Sequence, residues 1–107
     1  MVFHVCDGGL LQGYTKQPVK VKNEEGKEEE IYFRGSAIYR ANFKWIDKIF
    51  DLNAAEKIVF AGSSFGSIGV FNWMDYLKSM VKNPEKIYGI LDTVLYPSPQ
   101  LATFIVE

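Results

Sequence analysis

Histidine and cysteine are almost absent from this chain, each occurring once in 107 residues, as His4 and Cys6. A single cysteine cannot close an internal disulfide or build a cysteine-rich zinc site, so neither a disulfide scaffold nor a metal centre is expected. No apolar run approaches the about 20 residues of a membrane-spanning helix. The start, MVFHVCDGGLL, lacks the basic opening and long apolar stretch of a signal peptide, and it reads as though the natural start lies upstream. Charge of one sign is also missing. Twelve basic and thirteen acidic residues leave a net charge of -1, which implies no bulk attraction to nucleic acid or to an anionic membrane. What remains is the composition of a small globular domain: 48% hydrophobic and 15% aromatic residues argue against disorder.

The stretch richest in information is Lys57 to Gly69, KIVFAGSSFGSIG. An apolar run, Ile58 to Ala61, stops at Gly62, and a helical pattern begins after Ser64. The order strand, G-x-S-x-G, helix is that of a nucleophile elbow. In such a turn the nucleophile sits on a strained backbone, and its neighbours at two residues' distance must be small for strand and helix to pass. Gly62 and Gly66 meet that need, and Gly69 permits close contact between helix and sheet. The helix N-terminus aims free N–H groups at a developing oxyanion. Ser64 is therefore the candidate nucleophile, and the N–H of Phe65 is a candidate oxyanion donor. Ser63 is one residue from Gly62 and falls out of register. A blander reading has Ser63 or Ser64 capping the helix with its side chain. A third reading, a dinucleotide-binding turn, fits less well: the spacing is G-x-x-x-G-x-x-G, and Asp92 lies further beyond Gly66 than the about 20 residues expected of a ribose-binding acid.

Around this motif the chain reads as one domain over residues 1–107. Met1 to Val5 is expected to be a strand entering a turn at Asp7, Gly8 and Gly9. Residues 19–30 alternate and are then heavily charged, with Asn23 and Gly26 in the middle, and read as a solvated loop or hairpin. Ser36 to Phe50 reads as a helix with Ile38, Ala41, Trp45 and Ile49 on its apolar stripe and Trp45 in the core. Lys57 to Ala61 reads as a buried strand. Phe65 to Lys82 reads as a helix, apolar at Val70, Trp73, Met74, Leu77 and Val81, stopped by Asn83 and Pro84. Lys86 to Leu91 reads as a further strand. The alternation implies an α/β fold with parallel strands joined by crossover helices, in an incomplete sheet whose edges and apolar faces are left uncovered. The tail, residues 97–107, carries no pattern long enough to place.

Four segments in order resemble the pectin acetylesterase and Notum-like carboxylesterase family. MVFHVCDGG with the later Gly13 is similar to the family's strand and Cys-Asp-Gly turn. IYFRGSAIYRA resembles its Phe-Arg-Gly segment opening a helix. KIVFAGSSFGSIGVFNWMDYL resembles its Gly-Ser-Ser-Ala-Gly-Gly elbow and following helix. IYGILDTVLY resembles the strand ending in an Asp-Ser-Gly or Asp-Ala-Gly turn. The resemblance covers Met1 to Tyr96. It implies a partial α/β-hydrolase fold and a serine carboxylesterase that removes acyl groups from esters, such as acetyl from a pectin-like polysaccharide or an acyl group from a protein, with no cofactor. It also implies a secreted or extracellular setting. The family's nucleophile matches Ser64. Its oxyanion donor matches Phe65, where the family usually has alanine, so that pocket shape is expected to differ. Ser67 replaces the second elbow glycine, and Thr93 and Val94 replace small residues after Asp92. In this fold the triad acid and histidine follow the serine, yet His4 precedes Ser64. The short apolar run around His4 reads as core or strand end. The chain by itself is expected to lack the base and its acid, and to need the remainder of the domain. The alternative is a degenerate, non-catalytic binding domain of the same fold.

Overall fold

A computed structural model of the chain describes residues 1–4, 9 and 11–93. Cys6, Asp7 and Gly8 of the expected turn, Val94, and the tail at 97–107 lie outside the described residues, although Gly9 of that turn is described. The fold is mixed α/β with two small sheets. Strands β1 (Val19–Lys22) and β2 (Glu28–Ile31) form an antiparallel hairpin. Helix α1 (Gly35–Phe50), strand β3 (Ile58–Ser63), helix α2 (Phe65–Ser79) and strand β4 (Ile87–Asp92) follow. β3 and β4 pair in parallel with α2 as the crossover, in a register that sets Ile58 beside Ile87 and Ser63 beside Asp92.

The charged segment is thus the hairpin arm of the loop-or-hairpin expectation. Its turn is built by Asn23, whose side-chain oxygen accepts from the N–H groups of Glu25 and Lys27. Gly26 supplies a φ of 77°, which costs glycine little. The hairpin is solvated, and its Lys20–Glu28 pair at 3.8 Å is exposed, so its energetic weight is small.

Helix α2 packs over one face of the β3–β4 pair, and α1 meets β3 on that face through Phe43 and Phe60. Along β3, Ile58, Phe60 and Gly62 are partly covered and alternate with exposed Val59, Ala61 and Ser63. Along β4, Ile87 is buried and Gly89 lies under α2, where an added Cβ would come within 2.6 Å of the Met74 side chain. An aromatic cluster joins the layers. Tyr39 stacks on Trp73 with ring centroids 5.5 Å apart, and Phe43 stands edge-on to Phe60 at 5.5 Å and to Phe3 at 5.5 Å. Leu11, Leu52, Leu77, Val81 and Ile87 complete the core. Burial holds the Tyr39 phenol above its ordinary pKa.

Several expectations change here. Met1 to His4 form no strand among the described residues. Phe3 instead inserts its ring against Tyr39 and Phe43. His4 is exposed, not core. On α1 the buried positions are Gly35, Tyr39 and Phe43, and Trp45 and Ile49 stay about half exposed, at 52% and 50%. The two stripes lie roughly 100° or more apart around the helix. Tyr39 and Phe43 prevail because both find Trp73 and Phe3 as ring partners, which add about 0.5–1.5 kcal/mol per pair beyond area burial. The strand of Lys57 to Ala61 is half exposed, not buried. The outer face of the β3–β4 pair, with Val59 on β3 at 54% and Tyr88 and Ile90 on β4 at 50% and 54% exposure, is uncovered among the described residues. The apolar positions read for this helix are buried at Val70, Trp73, Leu77 and Val81 and partly so at Met74, but α2 ends at Ser79, not Lys82, so Val81 lies past its end. Asn83 caps the short turn Pro84–Lys86 by accepting from the Glu85 N–H. No described helix is long and apolar enough to cross a membrane.

Candidate active site

The junction of β3 and α2 is a single-residue hinge at Ser64. Its φ of 54° and ψ of -118° lie in a region that non-glycine residues seldom enter. The conformation is held from both sides. The Ser64 N–H donates to the Asp92 carbonyl at 3.0 Å, at the end of β4. The Ser64 carbonyl accepts from the Ser67 N–H at 3.0 Å, in the first turn of α2. The Ser64 side chain makes no capping bond, so the helix-cap reading does not describe this serine. The residue is exposed. Phe65 and Gly66 open α2, and their N–H groups belong to the first turn, which has no intrahelical acceptor.

Gly62 is where strand and helix pass most closely. A Cβ built on it would overlap the carbon and oxygen of Gly66 and lie 2.8 Å from the Ser67 nitrogen. At Gly66 itself an added Cβ would meet nothing within 4 Å. The crowding therefore falls on one glycine of the pair, through the backbone of the other. Gly69 faces the side chains of Leu11 and Tyr39, not the sheet.

Ser64 and Phe65 line a cavity of about 660 Å³. Its other walls come from Val2 and Phe3, from Phe60 on β3, and from Ile46 and Phe43 on α1. A pocket of this size with mostly apolar walls can hold an acyl chain or a sugar face. The Phe65 side chain, 47% exposed, stands at its rim. Asp92 contributes its carbonyl to the elbow, and its carboxylate lies 3.4 Å from the Thr93 hydroxyl. His4 is not among the cavity-lining residues.

Two contributors escaped the sequence reading. Ser67 is 1% exposed, with its hydroxyl 2.8 Å from the Gly62 carbonyl and 2.7 Å from the Asp92 carbonyl. Its only signal in the sequence was a serine where a glycine was expected. Gly35 lets the Leu11–Gln12 backbone lie against the start of α1, where a Cβ would sit 2.6 Å from the Gln12 nitrogen. Ser36 and Trp73 fasten that same loop by donating to the carbonyls of Gly13 at 2.8 Å and Leu11 at 2.9 Å.

The strained hinge makes a stability prediction. A non-glycine residue in such a conformation costs about 1–3 kcal/mol. Ser64→Gly removes that cost and adds back about 0.5–1 kcal/mol of unfolded-chain entropy. The net expectation is a gain of about 1 kcal/mol, read as a higher urea midpoint with an unchanged slope. A lower midpoint would show that the hinge carries no strain.

The described residues thus bring together a parallel strand, a serine at positive φ and a helix N-terminus beside a cavity with mostly apolar walls. A family model described as pectinacetylesterase matches residues 2–100, and the chain belongs to that family. The family is one of carboxylesterase-type hydrolases acting on acetyl esters. No curated protein matches the chain, and neither does a solved structure.

Proposed function

We propose that this chain carries the nucleophile of a serine carboxylesterase and that Ser64 is that nucleophile. The observation that carries the reading is the Ser64 backbone, at φ 54° and ψ -118°, between a parallel strand and a helix N-terminus. The Ser64 Oγ attacks the ester carbonyl. Its proton passes to a general base, the carbonyl oxygen becomes an oxyanion facing the Phe65 N–H, and the C–O bond to the alcohol breaks as the alcohol takes a proton. Water then cleaves the acyl-enzyme and returns the serine. The substrate class is an acetylated pectin-like polysaccharide, with an acylated protein as the second choice. The bulk of Phe65 at the cavity rim supports a short acyl group.

The base has to come from outside these 107 residues, because His4 is the single histidine and precedes the elbow. A serine without a base is a poor nucleophile. The chain alone is therefore expected to hydrolyse p-nitrophenyl acetate no faster than its Ser64→Ala variant. Joined to a segment that supplies the histidine and acid, it is expected to be labelled by a fluorophosphonate at Ser64, with labelling abolished by Ser64→Ala. Labelling that persists in Ser64→Ala removes the nucleophile assignment. Absence of labelling in the completed domain favours the second reading, a hydrolase-like domain that binds without catalysis, which the large Phe65 beside Ser64 supports.

A further inference from the structure

The environment of Ser67 stands apart from the rest of α2. The helix otherwise buries apolar groups, and Ser67 is the one polar residue that is fully buried among the described residues. Its hydroxyl does not turn back onto its own helix. It reaches out to the C-terminal end of each parallel strand, to the Gly62 carbonyl on β3 at 2.8 Å and the Asp92 carbonyl on β4 at 2.7 Å. A hydroxyl has one proton, so it donates to one carbonyl at a time and alternates between them. The Asp92 carbonyl is the same atom that accepts the Ser64 N–H at 3.0 Å. The Gly62 carbonyl belongs to the residue whose Cα passes over Gly66. One of the oxygens that Ser67 grips therefore holds the Ser64 N–H directly, and the other belongs to the strand residue two before Ser64.

We propose that Ser67 is a positioning residue for the elbow: its buried hydroxyl clamps the C-terminal ends of β3 and β4 to the first turn of α2 and so holds the Ser64 backbone in its strained conformation. A small apolar residue at 67 would leave the helix and sheet in place, because Val70, Trp73 and Leu77 carry that packing. It would free the Asp92 carbonyl to shift and let Ser64 relax out of its positive φ. The functional meaning rests on Ser64 being the nucleophile, since the clamp fixes the direction of the Ser64 Oγ and of the Phe65 N–H. The clamp itself can be tested without activity.

The test is amide hydrogen exchange by NMR on the 107-residue chain and its Ser67 variants. In Ser67→Ala the Ser64 amide, which bonds to Asp92, is expected to exchange at least about tenfold faster than in the parent, while the Trp73 and Leu77 amides further along α2 change by less than about twofold. In Ser67→Thr, which keeps the hydroxyl, Ser64 protection is expected to recover most of that difference. In the unsubstituted chain the Ser67 hydroxyl proton is expected to be visible and slowly exchanging, a readout that does not depend on any variant folding. Equal acceleration at Ser64 and Trp73 overturns the proposal, because it would mean a general loss of stability. So does a Ser67 hydroxyl proton in fast exchange with water. The fluorophosphonate experiment is separate: if Ser64 is not labelled but its amide loses protection as described, the clamp stands and the nucleophile reading falls.

Discussion

Gly62→Ala is expected to be among the most damaging single substitutions in the chain. The new methyl would overlap the Gly66 carbon and oxygen and crowd the Ser67 nitrogen, all of them backbone atoms. A side chain in the way could change rotamer, but this backbone is fixed by the elbow's own bonds to Asp92 and Ser67. Overpacking costs about 1–3 kcal/mol where neighbours can move, so about 3 kcal/mol or more is expected where they cannot. A natural domain has only about 5–15 kcal/mol in all, and a small one sits low in that range. Urea denaturation followed by circular dichroism should show a collapsed midpoint or no folded baseline. Gly66→Ala is the control. Its Cβ enters open space in a helical turn, where alanine is favoured over glycine by up to about 1 kcal/mol, so its midpoint should stay the same or rise. Equal damage at both positions would show that the close pass is not at Gly62.

Trp73→Ala is expected to have a comparable effect by a different route. Trp73 is 7% exposed, stacks on Tyr39 at 5.5 Å and stands edge-on to Tyr76 at 5.6 Å. Truncating a buried Trp costs about 3–5 kcal/mol through lost burial and the cavity left behind. The indole N–H also donates to the Leu11 carbonyl at 2.9 Å, tying residues far apart in sequence. Leu11 has a φ of 67°, unfavourable for leucine, so this loop depends on such ties. Trp73→Phe separates the two contributions. It keeps most of the ring and loses the bond, leaving a buried acceptor at a cost of about 1–3 kcal/mol. The order of urea midpoints should be parent, then Trp73→Phe, then Trp73→Ala. A Trp73→Phe midpoint equal to the parent's would mean the Leu11 bond adds nothing.

The elbow was legible from the chain because its requirements are local. A strand followed by G-x-S-x-G and a helix brings strand end, turn and helix start into contact without help from distant residues. The apolar face of α2 was legible for the same reason, since period 3.6 places Val70, Trp73 and Leu77 together in any helix. The face of α1 was not. Two stripes compete there, and the choice between Tyr39 with Phe43 and Trp45 with Ile49 depends on which rings wait on the other side. The expected strand at the N-terminus failed similarly. A short apolar run is ambiguous until a partner edge is present, and Phe3 found an aromatic pocket instead.

By itself the sequence determined an α/β chain with a serine at a strand-to-helix turn, a nearly balanced charge, and a single histidine that precedes that serine. Those are properties of local order and of composition. Only the tertiary structure decided that Ser64 adopts a positive φ, that Gly62 is the glycine the close pass demands, and that Ser67 reaches the ends of both parallel strands. The first and the last of these involve β4 lying beside β3, a pairing across the whole of α2 that fixes where the Asp92 carbonyl stands. The single histidine, His4, precedes Ser64 in the chain, and the proposed reading of Ser64 as nucleophile therefore turns on a base supplied from elsewhere.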